Sequence, residues 1–189
     1  MERSNRKPVR LPNFDYSTPG AYFITLCTQD RKNLLGKVVG GGALDAPQVA
    51  LSPIGIIADK YIRSSSAIPG VTVDKYIIMP NHIHMLLFVS DTSSSGTSKA
   101  PSPTKAPSPT NAVIPHFVST LKRFCHRDTG FRLFQRSYHD HVIRGESDYL
   151  KIWNYIDGNA AKWEQDCFYT ADEINGTSKA PSPTRRNLF

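Results

Sequence analysis

The stretch Tyr76-Ile-Ile-Met-Pro-Asn-His-Ile-His-Met-Leu-Leu-Phe-Val89 constrains the chain most. It reads as two apolar strands meeting at a sharp corner, because proline and asparagine punctuate the run at Pro80-Asn81. Successive side chains of a strand point to opposite faces, so His82 and His84 project from the same one. This reading turns Ile83 toward the core together with Leu86 and Phe88. Two imidazoles on one face of a rigid strand can share a divalent metal. From this pattern alone, two histidines each satisfied by a local hydrogen bond would look the same.

The rest of the chain supplies the partners of that strand. Ala21 to Thr28 is rich in aromatic and β-branched residues and reads as a strand, followed by a polar turn at Gln29–Lys32. Residues 36–48 carry Gly40-Gly41-Gly42 and Pro47 and read as a loop. The glycines are not a phosphate-cradling loop, since no Lys-Ser/Thr ending follows them. Ser52-Pro53 opens a helix with Ile54, Ile57, Ala58, Tyr61 and Ile62 on its apolar stripe, ending near Ser64. A strand from Val71 to Met79 leads into the corner. Asn111 caps a second helix through about Arg127, with Val113, Phe117, Leu121 and Phe124 on one face. Leu133 to Arg144 alternates as a strand would, Gly145 breaks it, and Ser147 caps a last helix from Asp148 to about Trp163. The fold class is therefore α+β. The order strand, helix, strand, strand, helix, strand is that of a ferredoxin-like, split β-α-β antiparallel sheet with helices on one face. The last helix is additional, and the histidine strand is expected mid-sheet.

Domain organisation follows from composition. Residues 1–13 form a basic arm, 14–169 the domain, and 170–189 a tail. A low-complexity insert at 91–110 holds Lys-Ala-Pro-Ser-Pro-Thr twice, and the tail repeats it at 179–184. Such segments cannot pack a core. The net charge of +7 and pI near 9.4 favour an anionic partner, nucleic acid being the commonest. Three scattered cysteines suit free thiols in a reducing compartment. With no apolar run of membrane-spanning length and no secretory h-region, a cytoplasmic protein is expected.

At about 100° per residue, Tyr149, Ile152, Trp153, Ile156, Ala160 and Trp163 line one stripe of the last helix. Tyr155 and Asn159 stand one turn apart along its edge, with Lys151 and Lys162 on the same flank. Two neutral imidazoles and an amide oxygen can hold Mg²⁺ or Mn²⁺ with positions open for a phosphate, and a tyrosine beside them can attack phosphorus. Pattern alone also allows Tyr155 to be an ordinary helix-edge tyrosine.

Three segments together carry a resemblance. They are Tyr-Ile-Ile-Met-Pro-Asn-His-Ile-His-Met-Leu, Phe-Gln-Arg-Ser-Tyr-His-Asp-His-Val-Ile-Arg, and Tyr-Leu-x-x-x-x-Tyr-Ile-x-x-Asn. Over about Phe14 to Phe168 the chain resembles the REP-associated tyrosine transposases, single-tyrosine members of the HUH (His-hydrophobic-His) endonuclease superfamily. The resemblance implies a ferredoxin-like core, a divalent metal, and cleavage of single-stranded DNA near hairpins through a 5′-phosphotyrosine intermediate. It assigns His82 and His84 to the HUH histidines, Tyr155 to the nucleophile and Asn159 to the polar metal ligand. The chain departs from the family in having Ala160 after Asn159, where proline is frequent, and Phe134 where many members have tryptophan.

Further expectations concern DNA. Lys122, Arg123, Arg136 and the basic arm are candidate phosphate contacts, joined by Lys151 and Lys162 beside the nucleophile. His139-Asp-His141 reads as structural or DNA-contacting, and Tyr149 as core. Tyr138 lacks a ligand four residues on, and His116 and His126 read as surface residues. Single-stranded or hairpin DNA is the expected partner, on which the protein would be nucleoid-associated. A homodimer and a monomer are both open, as is whether Tyr155 serves its own subunit. Two other functions fit less of the pattern: a hairpin-binding module that no longer cuts, and a metal-dependent nuclease that uses water.

Overall fold

A computed structural model describes residues 14–42, 46–90 and 112–170. The basic arm, the 91–110 insert, the Asn111 cap and the tail from 171 onward lie outside the described residues. In chain order the elements are β1 (Gly20–Cys27), β2 (Gly36–Val39), β3 (Gln48–Leu51), α1 (Pro53–Arg63), β4 (Val71–Ile78), β5 (His82–Val89), α2 (Val113–Thr129), β6 (His139–Val142) and α3 (Glu146–Gly158).

Four strands form one sheet in the order β4-β5-β1-β6, every neighbouring pair antiparallel. β5 is internal, as its continuous apolar run requires. Its register places Thr25 opposite His84 and Cys27 opposite His82. One face of the sheet carries Tyr22, Ile24, Leu26, Ile83, Met85 and Leu87, packed against α1 and α2 through residues such as Ala58, Ile62, Phe117 and Leu121. The other carries Phe23 and Leu86 against Ile152 and Ile156 of α3. The sheet is thus sandwiched, with α3 the one α-helix on the histidine side among the described residues. Strict alternation corrects one expectation: Leu86 shares the face of His82 and His84, not that of Ile83. Phe88 follows the same parity and is 40% exposed.

Local chemistry explains the helix ends. The Ser52 hydroxyl accepts a hydrogen bond from the Gly55 amide at 3.0 Å and caps α1. α2 starts without a cap from its own chain neighbours; instead the Val113 amide donates to Ser17 Oγ at 3.2 Å. It stops at Gly130, whose φ of 78° is the left-handed C-terminal conformation glycine adopts without a steric penalty.

Three boundaries differ from the sequence expectation. The 36–48 stretch is not all loop, because β2 and β3 form a separate two-stranded antiparallel sheet. Each strand is only four residues long, too short for a periodicity to emerge beside three glycines. The 133–144 strand shrinks to His139–Val142, preceded by an isolated bridge between Thr28 and Phe134. Between them the Lys122 ammonium gathers the carbonyls of Gln135, Arg136 and Ser137 at 2.7, 3.3 and 2.9 Å, satisfying groups that a strand ladder would otherwise use. The last helix ends at Gly158, and a 3-10 turn over Ala160–Gln165 carries the chain back toward the sheet.

Gly55 sits where α1 presses on the backbone of Leu35, just before β2. A Cβ there would overlap the Leu35 carbonyl oxygen, a backbone atom that cannot swing away. Gly55→Ala is expected to destabilise the fold by about 3 kcal/mol, read from urea melts.

A candidate metal and nucleophile site

His82 and His84 are fully buried in the middle of the sheet. Each ring is fixed through Nδ1, His82 by Asn81 Oδ1 at 2.9 Å and His84 by Thr25 Oγ1 at 2.8 Å. The Asn81 amide nitrogen donates to the carbonyls of Phe168 and Arg31 and to Thr170 Oγ1. That set of acceptors orients the amide, so its oxygen must accept from His82 Nδ1–H, and the His82 lone pair lies on Nε2. His82 Nε2 is buried without a hydrogen-bond partner among the described residues. A buried acceptor left open in this way suits a cation.

Burial, and secondarily the Arg31 charge, pulls the His82 pKa down to about 3. Burial and then the His82 ring also hold His84 well below its ordinary value, with Asp166 opposing. Both rings are therefore neutral, the form that ligates metal. Unfolded histidines titrate near 6.5. The unfolded chain consequently takes up protons below that pH while the folded rings do not, and stability falls as pH drops from 6.5 toward 3. Melting temperatures in chelator across that window should decline, with a shallower slope in His82→Gln.

α3 brings the nucleophile candidate to these rings. Tyr155 Oη lies 3.2 Å from His84 Nε2 and donates to Asp166 Oδ2 at 2.9 Å. Asn159 Nδ2 donates to the same carboxylate oxygen at 2.9 Å, while Asn159 Oδ1 is buried without a partner among the described residues. His82, His84 and Asp166 each offer a ligand atom within 4.8 Å of the others. Burial, then the Asp166 charge, raises the Tyr155 pKa and keeps the phenol protonated. The site is walled by Phe168, whose ring centroid is 4.7 Å from His82, and by Trp163 at 5.8 Å.

The residues singled out from sequence thus divide. His82, His84, Tyr155 and Asn159 converge. Lys151 and Lys162 are exposed, Lys162 on the 3-10 turn after the helix break. Lys122 and Arg123 belong to α2, across the sheet; the Lys122 ammonium is occupied by its three carbonyls, and Arg123 lies 5.3 Å over Phe124. Arg136 is exposed. His141 bonds Asp148 at 2.8 Å at the start of α3, and Asp140 accepts from Tyr16, which gives the second His-x-His a structural use. Tyr149 is half-buried, its hydroxyl donating to Asp74. Asp166 was not foreseen. Its only sequence signal is an acid between Trp163 and Phe168 just beyond the helix, and no spacing rule ties it to His82.

No family model matches the chain. An uncharacterized protein of Haemophilus influenzae is 29% identical over 179 residues, spanning 87% of this chain and 93% of that one. The fold, an α+β unit built on a four-stranded antiparallel sheet, is one that carries a transposase. One solved structure with a similar fold is a REP-associated tyrosine transposase bound to a REP hairpin, with a TM-score of 0.50 and 15% identity, covering 100% of this chain and 99% of that chain. Among the described residues no helix is long and apolar enough to cross a membrane.

Proposed function

We propose that the chain is a metal-dependent single-tyrosine transposase that cleaves and rejoins single-stranded DNA at hairpins, with Tyr155 as nucleophile. The observation that carries this reading is the contact of one phenol with both a metal-competent histidine and a carboxylate: Tyr155 Oη with His84 Nε2 and Asp166 Oδ2. The hairpin-bound structural neighbour supports DNA of that form as the substrate.

The donor set fits a hard divalent cation. Two imidazole nitrogens, the Asp166 carboxylate and the unpartnered Asn159 Oδ1 are the mixed nitrogen and oxygen donors that Mg²⁺ or Mn²⁺ accepts. When bound, the ion would supply Lewis-acid polarisation of the non-bridging phosphate oxygens. The chain's own residues do the rest. Tyr155 Oη attacks phosphorus as its proton passes to Asp166 Oδ2, which already accepts it in a hydrogen bond. The P–O3′ bond breaks, the 3′-oxygen leaves and takes a proton from water, and the 5′-phosphate stays on Tyr155. Attack by a second strand's 3′-hydroxyl reverses these changes and joins the DNA.

Incubation with Mn²⁺ and hairpin-bearing single-stranded DNA from beside the gene should give a covalent protein–DNA band on a denaturing gel. Asp166→Asn keeps the shape of the side chain but weakens its basicity, and adduct formation is expected to slow by about 100-fold. Tyr155 Oη lies 3.2 Å from His84 Nε2 of the same chain, which supports Tyr155 acting beside its own subunit's histidines. Mixing Tyr155→Phe with His82→Ala protein should then restore no adduct, whereas restoration would require a shared site.

A further inference from the structure

A groove of about 400 Å³ lies between the β2–β3 hairpin and the 3-10 turn that follows α3. Lys37 and Val38 line one wall; Lys162, Trp163, Gln165 and Tyr169 line the other. A second cleft, of about 260 Å³, opens beside Tyr155, Asn159 and Asp166. Lys162 and Gln165 line both, so the groove and the nucleophile cleft adjoin along that edge.

The lining has the character of a single-strand site. Tyr169 is 39% exposed, and its ring meets Trp163 edge-on at 5.2 Å, while Trp163 reaches His82 at 5.8 Å. An aromatic wall therefore runs from the groove to the His82/His84 pair. Lys37 and Lys162 are exposed and make no ion pair among the described residues. Glu164 on the same lining is the opposing charge. Lys75 differs, being bound to Asp157 at 2.6 Å and seated over Trp153. Exposed aromatic surface beside cations without an ion pair among the described residues suits stacked bases with phosphates between them, and unpaired bases along a strand each offer a free face.

We infer that this groove holds the unpaired nucleotides next to the reacting phosphate, with a base on Tyr169 and phosphates at Lys37 and Lys162. The inference rests on the DNA-cleaving reading for its substrate, and adds the place where the strand lies. It also gives the β2–β3 hairpin a use that the chemistry at Tyr155 does not.

The test is fluorescence anisotropy with a labelled short oligothymidylate and, separately, a blunt hairpin without unpaired flanks. Lys37→Glu and Tyr169→Ala, both at exposed positions and checked for unchanged melting temperature, are each expected to weaken oligothymidylate binding about tenfold while hairpin binding stays within about twofold. Wild-type affinity for oligothymidylate in both folded variants would overturn the inference, as would equal losses for the two DNAs. The adduct assay separates this from the catalytic reading. No adduct in the wild type, with oligothymidylate binding still lost in the variants, would leave the groove standing and remove the transposase. An adduct in the wild type, with both variants binding like it, would do the reverse.

Discussion

Tyr155→Phe is expected to abolish the covalent DNA adduct while leaving fold and hairpin affinity in place. The substitution removes one oxygen and keeps the ring, which packs against His84 at 5.1 Å and edge-on against Phe23 at 6.1 Å. What disappears are the contacts of the hydroxyl with His84 and Asp166. Loss of an attacking group that works as a unit with its neighbours lowers the rate by on the order of 10⁴-fold or more, so no band should be seen. Because the phenol is half-buried and relieved of a polar group, melting temperature should hold. Two other outcomes are informative. Cleavage that persists in Tyr155→Phe without an adduct would assign the chemistry to water. Wild-type protein that shifts hairpin DNA but never cuts it, with Mn²⁺ or Mg²⁺, would leave a binding module.

How much of this was legible beforehand depends on whether the signal was local. The His82/His84 face follows from the two-residue period of a strand, which needs no tertiary knowledge. The same period puts Leu86 with the histidines, on the opposite face from Ile83. β1 and β5 were readable because Ala21–Cys27 and Met85–Val89 are dense in aromatic, β-branched and other apolar residues between turn signals. The β2–β3 hairpin was not, since four-residue strands beside Gly40-Gly41-Gly42 carry too few alternations. Helix amphipathicity placed Tyr155 and Asn159 on a shared edge, yet it overran the real end at Gly158, because Ala160 and Trp163 continue the apolar stripe in a tighter turn. Asp166 depends on that turn. Its carboxylate reaches Tyr155 and Asn159 only once the chain has folded back, and nothing in a linear spacing encodes a fold-back. Lys122 shows the converse: a cation on a basic helix reads as a phosphate contact, and only the fold reveals the three carbonyls gathered around its ammonium.

His82→Ala should carry the second large effect, and it can be read without catalysis. Titrating Mn²⁺ into the metal-free protein by calorimetry or electron paramagnetic resonance, the wild type is expected to bind one ion and the variant to bind at least about 100-fold more weakly. That floor comes from the 10–100-fold losses seen when only the groups that orient ligands are removed. Asn81→Ala removes such a group, the acceptor that fixes His82 Nδ1, and belongs within that range. The ordering His82→Ala worse than Asn81→Ala is therefore the discriminating result. If the two histidines were merely core residues held by local hydrogen bonds, neither change would alter Mn²⁺ affinity, and His82→Ala would register only as lost packing against Phe168 and Trp163. Asp166→Asn divides the roles further. A carboxylate that ligates the ion lowers Mn²⁺ affinity when neutralised, whereas one that only takes the Tyr155 proton slows the adduct and leaves affinity unchanged. Since Asp166 Oδ2 receives both Tyr155 and Asn159, an ion drawing on that oxygen would compete with both hydrogen bonds, the first of which now restrains the nucleophile. Metal binding and release of Tyr155 would then be a single event, and Mn²⁺ should quench or shift the tyrosine signal in wild type but not in Asp166→Asn.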